Sequence, residues 1–203
     1  MKCIKCNNDS TVKTEDKYFC SSCFCEVIEK RFRKEIRRQE MFSRDMKKSS
    51  VDKNNSVAGN IKILIIDDNS EKAALNKYLL KEIVNDRRVK FKIKKITSFN
   101  ALHEYDKNNE FDKMVIPWNI DDEVNGYIAY MLENKMISMK KDSRIIKPLI
   151  GVTTNEIILF LKIKKLSFKK NKEKDDIEIM IERLDNRYPG TKFSILKTIK
   201  KVS

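Results

Sequence analysis

At 203 residues the chain has room for one ordinary domain and a small accessory module. Its hydrophobic content of 40% supports a folded core, and no apolar stretch is long enough to form a membrane-spanning helix. The formal charge of +14 (44 basic against 30 acidic residues) favours a polyanionic partner, which is a statement about binding and not about fold. A mere compositional bias toward lysine would scatter that charge, whereas here it is clustered. Lys30 to Lys48 carries nine basic and three acidic residues, and Lys162 to Lys172 carries six lysines and no acid.

The first element is a pair of C-x-x-C knuckles, Cys3/Cys6 and Cys20/Cys23, separated by thirteen residues. Each knuckle aims two thiolates at one point. The loop between them is long enough to fold back and close a tetrahedral S4 site, so the spacing predicts a structural zinc ribbon with these four residues as ligands. Disulfides would explain paired cysteines equally well in an oxidising compartment. No apolar leader precedes Cys3, however, and the chain is expected where thiols stay reduced. Cys25 lies too close to Cys23 to add a ligand and reads as a small hydrophobic thiol. No cysteine follows it.

A helix is predicted from about Glu26 to Phe42, with Ile28, Phe32 and Ile36 on one apolar face and Arg31, Arg33, Lys34, Arg37 and Arg38 on the remainder. Solvation alone accounts for some of these cations, but together with Lys30 they outnumber the helix's four acids (Glu26, Glu29, Glu35 and Glu40), and they are candidate phosphate contacts. Residues 1–42 therefore form a zinc ribbon plus basic helix. The polar segment 43–60 reads as a linker, and 61–203 as an α/β domain. In that domain a buried strand, Ile61 to Ile66, precedes a helix from Glu71 to Val84. A β-like stretch follows from Val89 to Ile96, then a short helical one from Ser98 to Tyr105. Lys113 to Pro117 is a third strand, Asp121 to Met136 a helix, and Arg144 to Ile150 a strand. Thr153 to Leu166 is a helix opened by a Thr153/Glu156 capping box. Lys172 to Arg187 is the last helix, ended by Tyr188-Pro189-Gly190 and a basic tail. Alternating strands and helices predict a doubly wound, mostly parallel sheet. His103 and Trp118 stand out by rarity alone and read as structural.

Ligands of such sheets bind at the carboxyl ends of the strands. After the first strand the turn is Asp67-Asp68-Asn69-Ser70-Glu71, with no glycine and three carboxylates. Two like charges about 4 Å apart repel by roughly 4 kcal/mol at an effective dielectric of 20, so this turn is hostile to a triphosphate and no ATP binding is expected.

The run Ile63 to Asn69 resembles the opening of a response-regulator receiver domain, whose acidic pair holds magnesium. That family needs a phosphoacceptor aspartate after its third strand, where this chain has Pro117 and Trp118. A second resemblance spans the whole chain. Cys3-x-x-Cys6, Tyr18-Phe19-Cys20-x-x-Cys23-Phe24 and Arg31-Phe32-Arg33 are similar to the N-terminus of the cytoplasmic tRNA 2-thiolation protein 2 family. Ile63 to Leu75 resembles its degenerate phosphate loop (here Asp67, Asp68, Asn69 and Ser70). Ile116-Pro117 with Asp121-Asp122, Lys147-Pro148-Leu149 with Thr153 and Glu156-Ile157, and Tyr188-Pro189-Gly190-Thr191 with Leu196-Lys197-Thr198 and Lys200-Lys201 follow in the family's order.

This resemblance implies a degenerate relative of PP-loop ATPases with a HUP-like sheet. It implies a non-catalytic, tRNA-binding or scaffold subunit, located in the cytoplasm, of a complex that 2-thiolates the wobble uridine of cytosolic tRNAs. Its implied partners are a catalytic PP-loop paralogue of the tRNA thiolation protein 1 family, tRNA and, indirectly, a ubiquitin-like sulfur carrier. The candidate tRNA contacts are Arg31, Arg33, Lys34, Arg37 and Arg38, helped by Lys169 and Lys170. The chain departs from the family at Asp67-Asp68-Asn69, at Glu133-Asn134-Lys135 and in lacking a distal C-x-x-C element, which reads as a reduced member. A receiver-like signalling domain and a stand-alone zinc-ribbon nucleic-acid binder are the alternatives.

Overall fold

The computed structural model describes residues 1–14, 17–42, 61–83, 89–95, 111–133, 142–169 and 175–202. The linker, the short helix expected at 98–105, His103 and Lys170 lie outside these residues. A short antiparallel hairpin, β1 (Val12–Thr14) and β2 (Lys17–Phe19), pairs Val12 with Phe19 and leads into α1 (Ser21–Arg38). Then follow β3 (Ile61–Asp67), α2 (Glu71–Ile83), β4 (Val89–Lys95), β5 (Lys113–Val115), α3 (Ile120–Leu132), β6 (Ile145–Ile146), α4 (Thr154–Ile163), α5 (Asp176–Arg187) and α6 (Thr191–Val202).

The four later strands form one parallel sheet in the order β4-β3-β5-β6. β3 is buried continuously from Ile63 to Asp67, as a central strand covered on both faces must be. On one face, Ile63, Ile65 and Val115 join α2 and α4 through Leu75, Leu79, Ile157 and Phe160, and the same apolar cluster runs on through Phe32, Ile28 and Phe24 to Phe19, Val12 and Cys3. The metal-binding end and the sheet thus share one hydrophobic interior. On the opposite face Leu64, Ile66, Met114 and Ile116 form a second layer. A third cluster, Ile120, Val124, Ile150, Ile181 and Leu196, joins α3, α5 and α6. The α/β class with a parallel sheet behind an N-terminal four-cysteine module is the one the sequence predicts.

The element boundaries differ where local chemistry overrides pattern. α1 begins at Ser21, five residues before the predicted start, because Cys20 is its N-cap and the Cys20 sulfur accepts the Cys23 amide at 3.5 Å. It ends at Arg38, because Glu40 adopts a left-handed φ of 51°. The predicted strand 144–150 shrinks to two residues. The amide of Lys147, which follows them, donates to Gln39 Oε1 at 2.7 Å, the Lys147 carbonyl accepts from Gln39 Nε2 at 3.0 Å, and Pro148 has no amide to donate. The basic tail is a helix, α6: Gly190, at φ 88°, makes the turn into it, and Leu196 and Ile199 are buried beneath its lysines. The predicted capping box of α4 is present, Thr153 Oγ1 accepting from the Glu156 amide and Glu156 Oε2 from the Thr153 amide.

Candidate metal centre and strand-end site

Cys3 and Cys6 sit on a tight turn in which the Asn7 amide donates to the Cys3 carbonyl and Asn7 takes a left-handed φ of 62°. Asparagine tolerates that region better than most side chains, and the turn brings both thiols to the same side. Cys20 and Cys23 occupy the N-cap and first turn of α1. The four Sγ atoms lie within 4.8 Å of one another, with Cys6 and Cys20 at 3.6 Å. A tetrahedral ion with Zn–S of about 2.3 Å separates its thiolates by roughly 3.8 Å, so the donor set fits one zinc-sized ion. Such a site is further favoured by the Cys23 amide and the helix terminus behind Cys20, which stabilise thiolate charge. Cys25 points instead into the apolar cluster, 5% exposed, and burial pushes its thiol up from the ordinary value.

The basic helix carries its cations in two different situations. Arg31 is turned inward: its Nη1 donates to both Glu156 oxygens (2.9 and 3.1 Å) and lies near the Gly151 carbonyl, while its guanidinium stacks 5.8 Å over Phe193. Arg38 pairs with Glu35 at 2.9 Å. Arg33, Lys34 and Arg37 are exposed, with Arg33 only loosely paired to Glu29 at 3.7 Å. Lys200 of α6 comes within 3.9 Å of Glu35. Burial lowers the Lys200 ammonium pKa, and Arg38 and Lys34 lower it further, against the pull of Glu35. Lys169 is exposed and its backbone bridges to Ser70.

At the carboxyl end of β3 the acidic turn is engaged with its own chain. Asp67, 3% exposed, accepts the Asn69 amide at 3.0 Å and pairs with Lys77 at 2.7 Å. Asp68 accepts the Ser70 amide, and Ser70 Oγ caps α2 through the Ala73 amide. Those amides are the groups a phosphate would need. Beside them, at the point where the chain switches from one side of β3 to the other, stand two more ion pairs, Lys72 with Asp122 (2.6 Å) and Lys192 with Asp121 (2.7 Å). Burial would raise the Asp121 carboxyl, but Lys192 and the Thr154 amide and hydroxyl hold it below its ordinary value; at Asp122 burial prevails over Lys72 and the carboxyl is pushed up. Asn119 joins them through Thr154 Oγ1 at 2.9 Å.

Sequence reasoning missed the roles of Lys72, Lys77 and Lys192, which no spacing reveals because their partners are distant in the chain. It read Glu156 as a cap only. Trp118 follows β5, its Nε1 donating to Glu123 at 2.7 Å. No carboxylate stands among Ile116, Pro117 and Trp118 for a receiver-type phosphoacceptor.

No family model matches this sequence, and no curated protein matches it. Among solved structures, the chain is similar to the U34-tRNA thiolase NcsA from Methanococcus maripaludis, determined with its 4Fe-4S cluster. The TM-score is 0.72 at 17% identity, over 100% of this chain and 87% of that one. The likeness shows an α/β fold shared along the whole of this chain with that thiolase. It also corrects one expectation. A non-catalytic status was inferred from the missing phosphate-loop glycines, yet the fold matched over the whole chain is that of an enzyme, so the altered turn gives no ground for calling the protein inert.

Proposed function

We propose that the protein acts in the thiolation of the wobble uridine of tRNA and binds tRNA directly. The observation that carries this reading is the end-to-end likeness to a U34-tRNA thiolase. Its support is the four-cysteine centre and the excess of cations on the helix that follows it. In this reading Cys3, Cys6, Cys20 and Cys23 hold one structural Zn²⁺, which anchors α1. Arg33, Lys34 and Arg37 then form a fixed array that suits a folded RNA read by backbone and shape. The chain belongs with the tRNA 2-thiolation protein 2 group, works in the cytoplasm, and shares the tRNA with a PP-loop paralogue supplied with sulfur by a ubiquitin-like carrier.

The test is a nucleoside analysis of tRNA from cells that lack the protein. Loss of 2-thiouridine at the wobble position, restored by the wild-type chain and not by a Cys20→Ser variant, is expected. Unchanged thiolation would overturn the reading.

A further inference from the structure

The most concentrated run of positive charge in the chain lies in neither α1 nor the 162–172 segment. Arg87 to Lys95 holds six cations in nine residues and no acid. Its described part, Val89–Lys95, is β4, the outer strand of the sheet among the described residues. The parallel register sets Lys90 opposite Lys62, Lys92 opposite Leu64 and Lys94 opposite Ile66, which puts the three lysines on one face. Alternate residues of a parallel strand stand about 6.6 Å apart, a repeat comparable to that of successive phosphates along an extended nucleic-acid strand. Lys90, Lys92 and Lys62 are exposed and Lys94 is partly so. Lys92 lies 5.5 Å over the Phe111 ring, and Ile93 is 45% exposed on the other face.

Lysine on an outer strand guards against edge-to-edge aggregation, but guarding does not account for this arrangement. Lys62 and Lys90 are direct cross-strand neighbours of like charge, which destabilises a sheet. Among the described residues, Asp112 stands by this first rung, its carboxylate accepting the Lys62 amide at 2.8 Å. A row of cations beside an aromatic ring is the make-up of a surface that tracks a nucleic-acid backbone without reading its sequence. We propose that Lys62, Lys90, Lys92 and Lys94 form a second RNA-binding surface, a ladder along β4 that engages the sugar–phosphate backbone. It is separate from the array on α1, and it deepens the tRNA reading above.

The experiment measures binding of the full zinc-loaded chain to an unmodified tRNA transcript and to poly(U) over a range of salt. It compares wild type with a Lys90→Gln/Lys92→Gln/Lys94→Gln variant and a variant with arginine at the same three positions. Three lost phosphate contacts should lower the salt slope by about 2–2.7, while the arginine variant keeps the wild-type slope. If the glutamine variant loses its circular dichroism spectrum, the single Lys92→Gln change decides, with an expected drop of about 0.7–0.9. Wild-type binding to tRNA with a slope indifferent to these lysines would overturn the ladder and leave the tRNA reading standing. A ladder-dependent slope on poly(U), with no preference for tRNA, would support the ladder and remove the tRNA reading. No binding to either RNA would overturn both.

Discussion

Replacing Arg31 by methionine tests whether α1 is bolted to the α/β body or merely rests on it. Methionine keeps an unbranched apolar stem against Phe193 and deletes the guanidinium that spans both Glu156 oxygens at 2.9 and 3.1 Å. Breaking a fully buried pair by removing one partner costs about 3–5 kcal/mol, and breaking an exposed one about 0–1. The Glu156 side chain is 10% exposed and that of Arg31 is 34%, so the pair falls between these limits. Glu156 also keeps the Thr153 amide at 3.0 Å and so is not left bare. A loss of about 2 kcal/mol follows from these two limits. For a chain of this size that corresponds to a fall in Tm of about 4–8 °C. The assay is urea unfolding of Arg31→Met, Glu156→Gln and the double variant. A coupling of about 1–2 kcal/mol is expected, and additivity within about 0.5 kcal/mol would refute the bolt. tRNA binding supplies an independent readout. An inward-facing Arg31 leaves the salt slope unchanged, whereas a drop of about 0.9 would place it on the RNA.

Purified without chelator, the protein should carry one zinc per chain by elemental analysis. Structural zinc of this kind is worth about 10–16 kcal/mol, so Cys20→Ser should abolish binding; four irons per chain would refute the assignment. Reversing Arg33, Lys34 and Arg37 to glutamate should weaken tRNA binding across sequences and lower the salt slope by at least about 2, while the zinc content is unchanged; a normal slope would remove α1 from the RNA surface. Asp121→Asn should destabilise the protein at neutral pH. Because the folded carboxyl is held below its ordinary value, its contribution is present above the unfolded pKa of about 3.9 and is lost as pH falls through the folded one. The gap between wild type and variant, read by denaturant unfolding, should therefore close below about pH 4, and a gap that persists there would contradict the Lys192 pairing.

What the sequence made legible is what short-range chemistry dictates. The knuckle spacing located the metal centre because four thiols at two fixed intervals leave few other geometries. The apolar run from Ile63 to Ile66 announced a central strand, and Thr153-x-x-Glu156 announced a helix start. The long-range electrostatics stayed hidden. Nothing within a window around Arg31 shows that its counter-ion is 125 residues away, and nothing near Asp121 points to Lys192. Helix α6 was obscured for a related reason: its lysines read as a tail, because the burial of Leu196 depends on α3 and α5, whose placement only the folded chain reveals. The acidic turn was located correctly but interpreted too far, since the absence of glycine says how a phosphate is not held, and not whether the fold works as an enzyme.

The two attachments of α1 to the body set a strict gauge on its length. Arg31 grips Glu156, and eight residues on, Gln39 grips both backbone groups of Lys147. On a helix those positions are about 12 Å apart along the axis. One inserted or deleted residue between them would swing one clamp by about 100° relative to the other, so that only one of the two could close. Substitutions on the outer surface of this segment leave the gauge intact, whereas any change in its residue count breaks it. The four-thiol end is thereby indexed to the strand ends as two marks on one ruler.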